Sequence, residues 1–260
     1  MPYNSLLLKI QDEIATISLN RPEKRNAISS EMIGEIPRAL QEVIASPARV
    51  AILTGEGKAF CAGMDLENLR AIASQSKEKH LEDATRMADM FYAVYSFPKP
   101  LIAAVNGAAI AGGTGIATLA DFTLAVPEAK FGYTEVRIGF LPAVVSVFLK
   151  RQVGDKHARD LLLTGRIFDA REAHMLGLVN QVVEADELME KARELATYLI
   201  ALSPTSLLRT KRLLLRSQEA AIRIDLEEAI RESTEIRMTA DFAEGLGSFL
   251  EKRNPVWRGE

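Results

Sequence analysis

One cysteine, one tryptophan and three histidines among 260 residues leave little material for several kinds of chemistry. A lone Cys61 excludes an intrachain disulfide and reads as a small buried hydrophobe, in keeping with a reducing compartment. His80, His157 and His174 are scattered, match no His-Glu-x-x-His pattern and form no cluster with Cys61. No metal site is therefore expected, and the three read as ordinary helix-surface histidines. No Gly-x-Ser-x-Gly elbow is present, which argues against a serine hydrolase. No apolar run approaches the roughly 20 residues that a membrane helix needs. The opening residues MPYNSLLLKIQDE match neither a signal peptide nor an Arg-rich transit peptide, so a cytoplasmic protein without membrane attachment is expected. With a formal net charge of −3, the chain as a whole has no attraction for nucleic acid or an anionic surface. The nearest basic run, Arg209, Lys211, Arg212 and Arg216, has helical spacing and reads as a solvated or subunit-facing stripe.

What is present is an alternation of short apolar runs with longer amphipathic ones. Strands are predicted at Leu6–Ile10 and Ile14–Leu19 around a Gln11-Asp12-Glu13 turn, at Arg49–Leu53, Leu101–Val105, Asp121–Val126 and Leu178–Val183, and from Lys130. Ser29 or Ser30 suits the N-cap of a helix running to about Ala45, with Met32, Ile36 and Leu40 on one face. Leu66 to about Tyr95 has a helical pattern interrupted near Ser74-Gln75-Ser76. The last third reads as helices at about 187–202, 205–216, 220–239 and 241–253. Strands alternating with helices predict an α/β core, and the helical tail an oligomerisation or lid element.

Two segments place small residues where a strand turns into a helix: 57–66, GKAFCAGMDL, and 106–115, NGAAIAGGTG. Amides at such a start have no partner within the helix, and small side chains let a substrate oxygen approach them. Two such amides converging would form an oxyanion hole. Neither segment has the Lys-Ser/Thr pair of a phosphate loop or the spaced glycines of a dinucleotide fingerprint.

With LNRPEKRNAIS (19–29), AAVNGAAIAGGTGIA (103–117), KFGYTEVRIGFLP (130–142), LLLTGRIFDAREAHMLGLVNQVV (161–183) and EGLGSFLEKRNPVWRG (244–259), these segments run through almost the whole chain. In order and spacing they resemble the crotonase, or enoyl-CoA hydratase/isomerase, superfamily. The resemblance implies a ClpP-like spiral of β-β-α units over residues 1–200, followed by a helical trimerisation region over 201–260. Homotrimers or dimers of trimers are the usual assembly. It also implies an acyl-CoA thioester substrate, with coenzyme A arriving as part of that substrate and no separate cofactor.

The resemblance puts the oxyanion amides at Met64 and Gly112 and the catalytic carboxylate at Glu135. Ala62, Asp65 and Leu66 correspond to positions beside the adenine end of the coenzyme, and Lys24 and Arg25 to a segment near its phosphates. Phe249 and Lys252 match residues that relatives contribute to a neighbouring subunit's site. An enolate held by two amides makes a thioester's α-carbon acidic enough for one positioned carboxylate to act on. Typical hydratases carry a second glutamate where this chain has Gly115, which opens room for a bulkier or branched acyl group. Segments 130–142 and 244–259 look most like hydratases of short or branched acyl-CoAs, methylglutaconyl-CoA included. Hydratase is therefore expected first, with a single-glutamate isomerase or a catalytically impaired coenzyme A-binding homologue as alternatives. Val144 and Val145 stand in place of the usual glycine-rich loop and are expected to narrow and dry the pocket. Ala143 occupies the position of the dehalogenase branch's aspartate, so dehalogenation is not expected.

Overall fold

The computed structural model describes residues 2–72 and 75–259, with the side chain of Leu66 outside the description. Strands β1 (Leu6–Gln11) and β2 (Ile14–Leu19) form an antiparallel hairpin, and Asp12 and Glu13 both take positive φ at its turn. That backbone matches the right-handed twist of the flanking strands. A 3-10 turn at Pro22–Lys24 leads to helix α1 (Ser30–Ala45), then β3 (Val50–Gly55) and β4 (Ala59–Cys61). Helices α2 (Leu66–Ile72) and α3 (Lys77–Tyr95) precede β5 (Leu101–Val105), β6 (Ala108–Ile110) and α4 (Gly112–Thr118). The next turn of chain is β7 (Phe122–Ala125), β8 (Lys130–Gly132), a 3-10 turn at Glu135–Ile138, and α5 (Ala143–Thr164). Then come β9 (Ile167–Asp169), α6 (Ala170–Met175) and β10 (Gln181–Val182). Helices α7 (Leu188–Ile200), α8 (Pro204–Arg216), α9 (Glu219–Ile236) and α10 (Ala240–Glu251) complete the chain.

The strands fall into two sheets, ordered β1-β2-β3-β5-β7-β10 and β4-β6-β8-β9. Each pair β3/β4, β5/β6 and β7/β8 gives its first strand to the larger sheet and its second to the smaller one, so successive turns of chain stack as a spiral. All pairings from β2 to β10 in the larger sheet are parallel. Strands β3 and β5 are buried along their whole length, as their uninterrupted apolar runs require. Side chains of two asparagines lace one turn of the spiral to the next. Asn106 accepts from Gly55 N at 3.2 Å and donates to Gly57 O at 2.9 Å, while buried Asn26 donates to Glu56 O and Ala59 O.

Helix α1 starts as expected, with Ser29 accepting from Met32 N and Met32, Ile36 and Leu40 buried. Two strands that position the site, β4 and β6, are only three residues long and lie inside the glycine-rich segments, where no alternation can develop. Three expectations are corrected. His80 is buried, its Nε2 2.9 Å from Ile72 O, because the start of α3 turns that face inward under the end of α9. Lys211 is an inward-facing ion-pair partner of Asp121 at 2.5 Å and also donates to Lys99 O, so it does not belong to a solvated stripe. Of the strand expected over Leu178–Val183, only Gln181 and Val182 form β10, although bonds from Asn180 and Val183 to β7 continue its edge. Cys61 is fully buried, as expected, and burial pushes its thiol up to about 12.

Among the C-terminal helices, α9 packs on α3 and α5 and buries Ile222, Leu226 and Ala229. Helix α8 buries no residue, and Leu213 and Leu214 stand 71% and 66% exposed. Helix α10 lies against the 135–138 turn of its own chain. A Cβ on Gly245 would sit 2.4 Å from Ile138 O, so that approach is backbone on backbone.

Candidate active site

The two glycine-rich turns and the β8 end meet around one cavity of about 860 Å³. Close packing of backbone on backbone brings the turns together. A Cβ on Gly113 would fall 2.2 Å from Cys61 O, and one on Gly63 3.0 Å from Ile110 O. Met64, beyond the first turn, and Gly112, opening α4, both line the cavity. Their amides donate to no acceptor among the described residues: the bridge between Ile28 and Met64 uses Asp65 N and Gly63 O instead. Ala111, just before Gly112, has φ 51° and ψ −122°, a conformation that alanine rarely adopts and that costs roughly 1–3 kcal/mol. Its ψ sets the plane of the peptide carrying the Gly112 N–H. That strain is held in place by the bond from Ala111 N to Gly132 O, 2.7 Å.

Gly132 ends β8, two residues from Thr134 and three from Glu135, so the same contact ties the Ala111–Gly112 turn to the carboxylate. Thr114, fully buried, adds to it: its hydroxyl donates to Ala109 O at 2.6 Å and accepts from Gly132 N at 3.0 Å. Glu135 opens the 3-10 turn and lines the cavity. Its Oε2 is buried without a hydrogen-bond partner. Burial disfavours the charged form and lifts the carboxyl from 4.5 to about 7, against a weaker opposing pull from its own backbone N–H. A carboxyl poised there exchanges a proton in either direction near neutrality.

The structure brings Lys24, Arg25, Ala62 and Asp65 to the same cavity, with Lys24 and Arg25 exposed at its mouth. Lys24 Nζ reaches Glu67 at 3.2 Å. Asp65 is spoken for by the fold: its carboxylate lies 2.8 Å from Arg21 Nη1 and accepts from Glu67 N. Burial alone would raise its pKa, but the Glu67 N–H and Arg21 outweigh it and hold the carboxyl below the ordinary range. Its side chain is thus a clamp on α2, and only its surface is offered to a ligand. Leu66 begins α2, and its side-chain role lies outside the described residues. Phe249 and Lys252, expected to reach a neighbouring subunit's coenzyme site, line this cavity of their own chain, where α10 seats closely on the 135–138 turn.

Gly115 corrects an expectation. It offers no open space, since a Cβ there would meet Phe91 Cε1 at 2.5 Å and Val145 Cγ1 at 2.6 Å. The volume a second carboxylate would need is filled by an apolar wall, to which Phe91, Val144 and Val145 all contribute. Phe91, Thr114 and Arg237 were not singled out from sequence. Phe91 is an aromatic on a charged helix, without a local signal. Arg237 had one: the buried positions Ile222, Leu226, Ala229 and Ser233 of α9 continue to it at helical spacing. No group of three or more His, Cys, Asp or Glu side chains suited to a metal is found among the described residues. No described helix is long and apolar enough to cross a membrane.

A spiral of β-β-α turns with two uncommitted amides and a proton-active carboxyl on one cavity defines a class of acyl-thioester enzymes. A profile of the enoyl-CoA hydratase/isomerase family matches residues 9–260, and the chain belongs to that family. It is an enzyme of enoyl-CoA hydratase/isomerase type. A Thermus thermophilus protein assigned as an enoyl-CoA hydratase is 44% identical over 243 residues, covering 93% of this chain and 96% of that one. The 2,3-dehydroadipyl-CoA hydratase of Escherichia coli K12 is 33% identical, covering 98% and 99%. Among solved structures, an enoyl-CoA hydratase/isomerase from Xanthobacter autotrophicus Py2 superposes with a TM-score of 0.90 at 31% identity, over 96% of this chain and 94% of that one.

Proposed function

We propose that the chain adds water to a 2-enoyl-CoA, or removes it from the 3-hydroxyacyl product, with Glu135 as sole acid and base. The observation that carries this is the buried carboxyl, its Oε2 without a partner among the described residues and its pKa about 7, on the wall that also bears the Met64 and Gly112 amides. The thioester oxygen accepts from both N–H groups. Ionised Glu135 takes a proton from water as its oxygen bonds to C3, and the π pair moves through C2 onto the thioester oxygen. The enolate then collapses, C2 takes the proton from Glu135, and the carboxylate is restored. Lys24 and Arg25 meet the coenzyme's phosphates at the mouth, Ala62, Asp65 and Leu66 flank its adenine end, and Phe249 and Lys252 cover it. Coenzyme A enters as part of the substrate, and no resident cofactor takes part.

The apolar filling around Gly115 favours a second reading, 3,2-enoyl-CoA isomerisation, in which one base removes a proton from C2 and returns it at C4. A dry wall disfavours water addition and leaves such a proton shuttle untouched. Crotonyl-CoA hydration and 3-enoyl-CoA isomerisation assayed on one preparation separate the two. Glu135→Gln should abolish either while coenzyme A still binds; near-wild-type turnover in that variant removes Glu135 from the chemistry. Binding of coenzyme A without turnover of any thioester would support a catalytically impaired homologue. Residues 201–260 act as the subunit-contact region of a cytoplasmic homotrimer or dimer of trimers, a reading supported by the unburied α8 with its exposed leucines.

A further inference from the structure

One charge on the cavity wall joins no ion pair among the described residues despite its burial. Arg237 follows α9 and is 7% exposed. Its Nε is buried without a hydrogen-bond partner. Its guanidinium makes one long bond, from Nη1 to His80 O at 3.4 Å, and lies 5.4 Å over the Phe140 ring. Burial pulls its pKa down from the ordinary value, with the field of Asp83 only partly opposing, and it joins no ion pair among the described residues. Glu135 is not its partner either, since burial and its own backbone are what act on that carboxyl. Ser233, one helical turn earlier on the same face, is buried and lines the cavity with Arg237. Around them is an apolar cluster of Leu69, Ile72, Phe242 and Leu246 with Phe140 and Met64 packed against it. A desolvated guanidinium in such surroundings is costly unless a ligand brings the opposite charge.

We propose that Arg237, assisted by Ser233, determines specificity by taking the terminal carboxylate of a dicarboxylic acyl chain carried on coenzyme A. This rests on the reading of the cavity as an acyl-CoA site. The planar guanidinium suits two-point recognition of a carboxylate, and a methyl-ended chain of equal length leaves it unpaired. The coenzyme's own phosphates are the other anion available. They belong with the exposed Lys24 and Arg25 at the mouth, whereas Arg237 is sealed from water.

Calorimetric titration of the full chain with adipoyl-CoA, hexanoyl-CoA and free coenzyme A tests this without depending on turnover. The wild type should bind adipoyl-CoA about tenfold or more tighter than hexanoyl-CoA, as charge-assisted bonds in a desolvated site imply. Arg237→Met should remove that preference and leave free coenzyme A unchanged, and Ser233→Ala should weaken it. Equal wild-type affinity for the two thioesters overturns the proposal, as does a preference that survives in Arg237→Met. Parallel weakening of free coenzyme A in that variant also overturns it and makes Arg237 a coenzyme contact. Should Arg237→Met fail to fold, the wild-type comparison and Ser233→Ala still decide. Failure of every thioester to bind sinks the acyl-CoA reading itself, a result distinct from equal binding of the two chains.

Discussion

Replacing Glu135 by glutamine keeps the side chain's shape and removes its ionisation, so the variant isolates the energetic cost of holding a carboxylate in this cavity. Burial lifts the carboxyl from the ordinary 4.5 to about 7. A folded pKa above the unfolded one means that the contribution is fully present below about 4.5 and is lost as pH rises through about 7. Above that, the folded protein carries a buried charge whose Oε2 has no partner, while the unfolded chain ionises freely. With about 1.4 kcal/mol for each tenfold in a proton equilibrium, the acid and alkaline limits differ by about 3 kcal/mol. About 2 kcal/mol of this falls between pH values of about 5.5 and 8.5. Glutamine suffers no such loss. Urea denaturation of both proteins across that range should show the variant gaining on the wild type as pH rises, while its turnover is abolished. A margin independent of pH, or one that moves towards the wild type, would refute the claim that the carboxyl is desolvated.

Two further substitutions probe how the cavity is built. Gly115→Glu should destabilise the fold by about 3 kcal/mol, because the new side chain meets Phe91 and Val145 and buries a carboxyl among apolar groups; its melting curve and turnover check this. A stable variant with raised hydration would show that the wall yields readily. Thr114→Val removes a hydroxyl that bridges Ala109 O and Gly132 N, at a cost of about 1–3 kcal/mol, and should lower kcat more than it raises KM. An unchanged kcat would separate the oxyanion turn from the Glu135 segment.

Much of the spiral was legible in sequence because most of its larger-sheet strands are short, largely apolar and β-branched runs. Leu101–Val105 is the clearest, matching β5 in both bounds. The smaller sheet was not legible, since β4 and β6 are three residues long and composed of the small residues that the turns need. At the site, the meeting of Met64, Gly112 and Glu135 on one cavity was readable, because glycine turns and a motif carboxylate depend on local chain order. The pocket's shape was not. Gly115 suggests space when read alone, and only the packing of Phe91 from α3 and Val145 from α5 shows it filled. Asp65 likewise gives no sign in sequence that Arg21, far off along the chain, pairs with its carboxylate. Arg237 lies between these cases: helical spacing put it on a buried stripe, but the absence of a partner for its Nε among the described residues is a fact of tertiary structure.

In the proposed mechanism, hydration and isomerisation share one step, removal or return of a C2 proton by Glu135 while the Met64 and Gly112 amides hold the thioester oxygen. Exchange of the C2 protons of butyryl-CoA with deuterium oxide, followed by proton NMR, isolates that step from any later chemistry. The wild type should catalyse exchange and Glu135→Gln should not. Exchange at an equal rate in the glutamine variant, or none in the wild type, would contradict the assignment of the enolate-forming base.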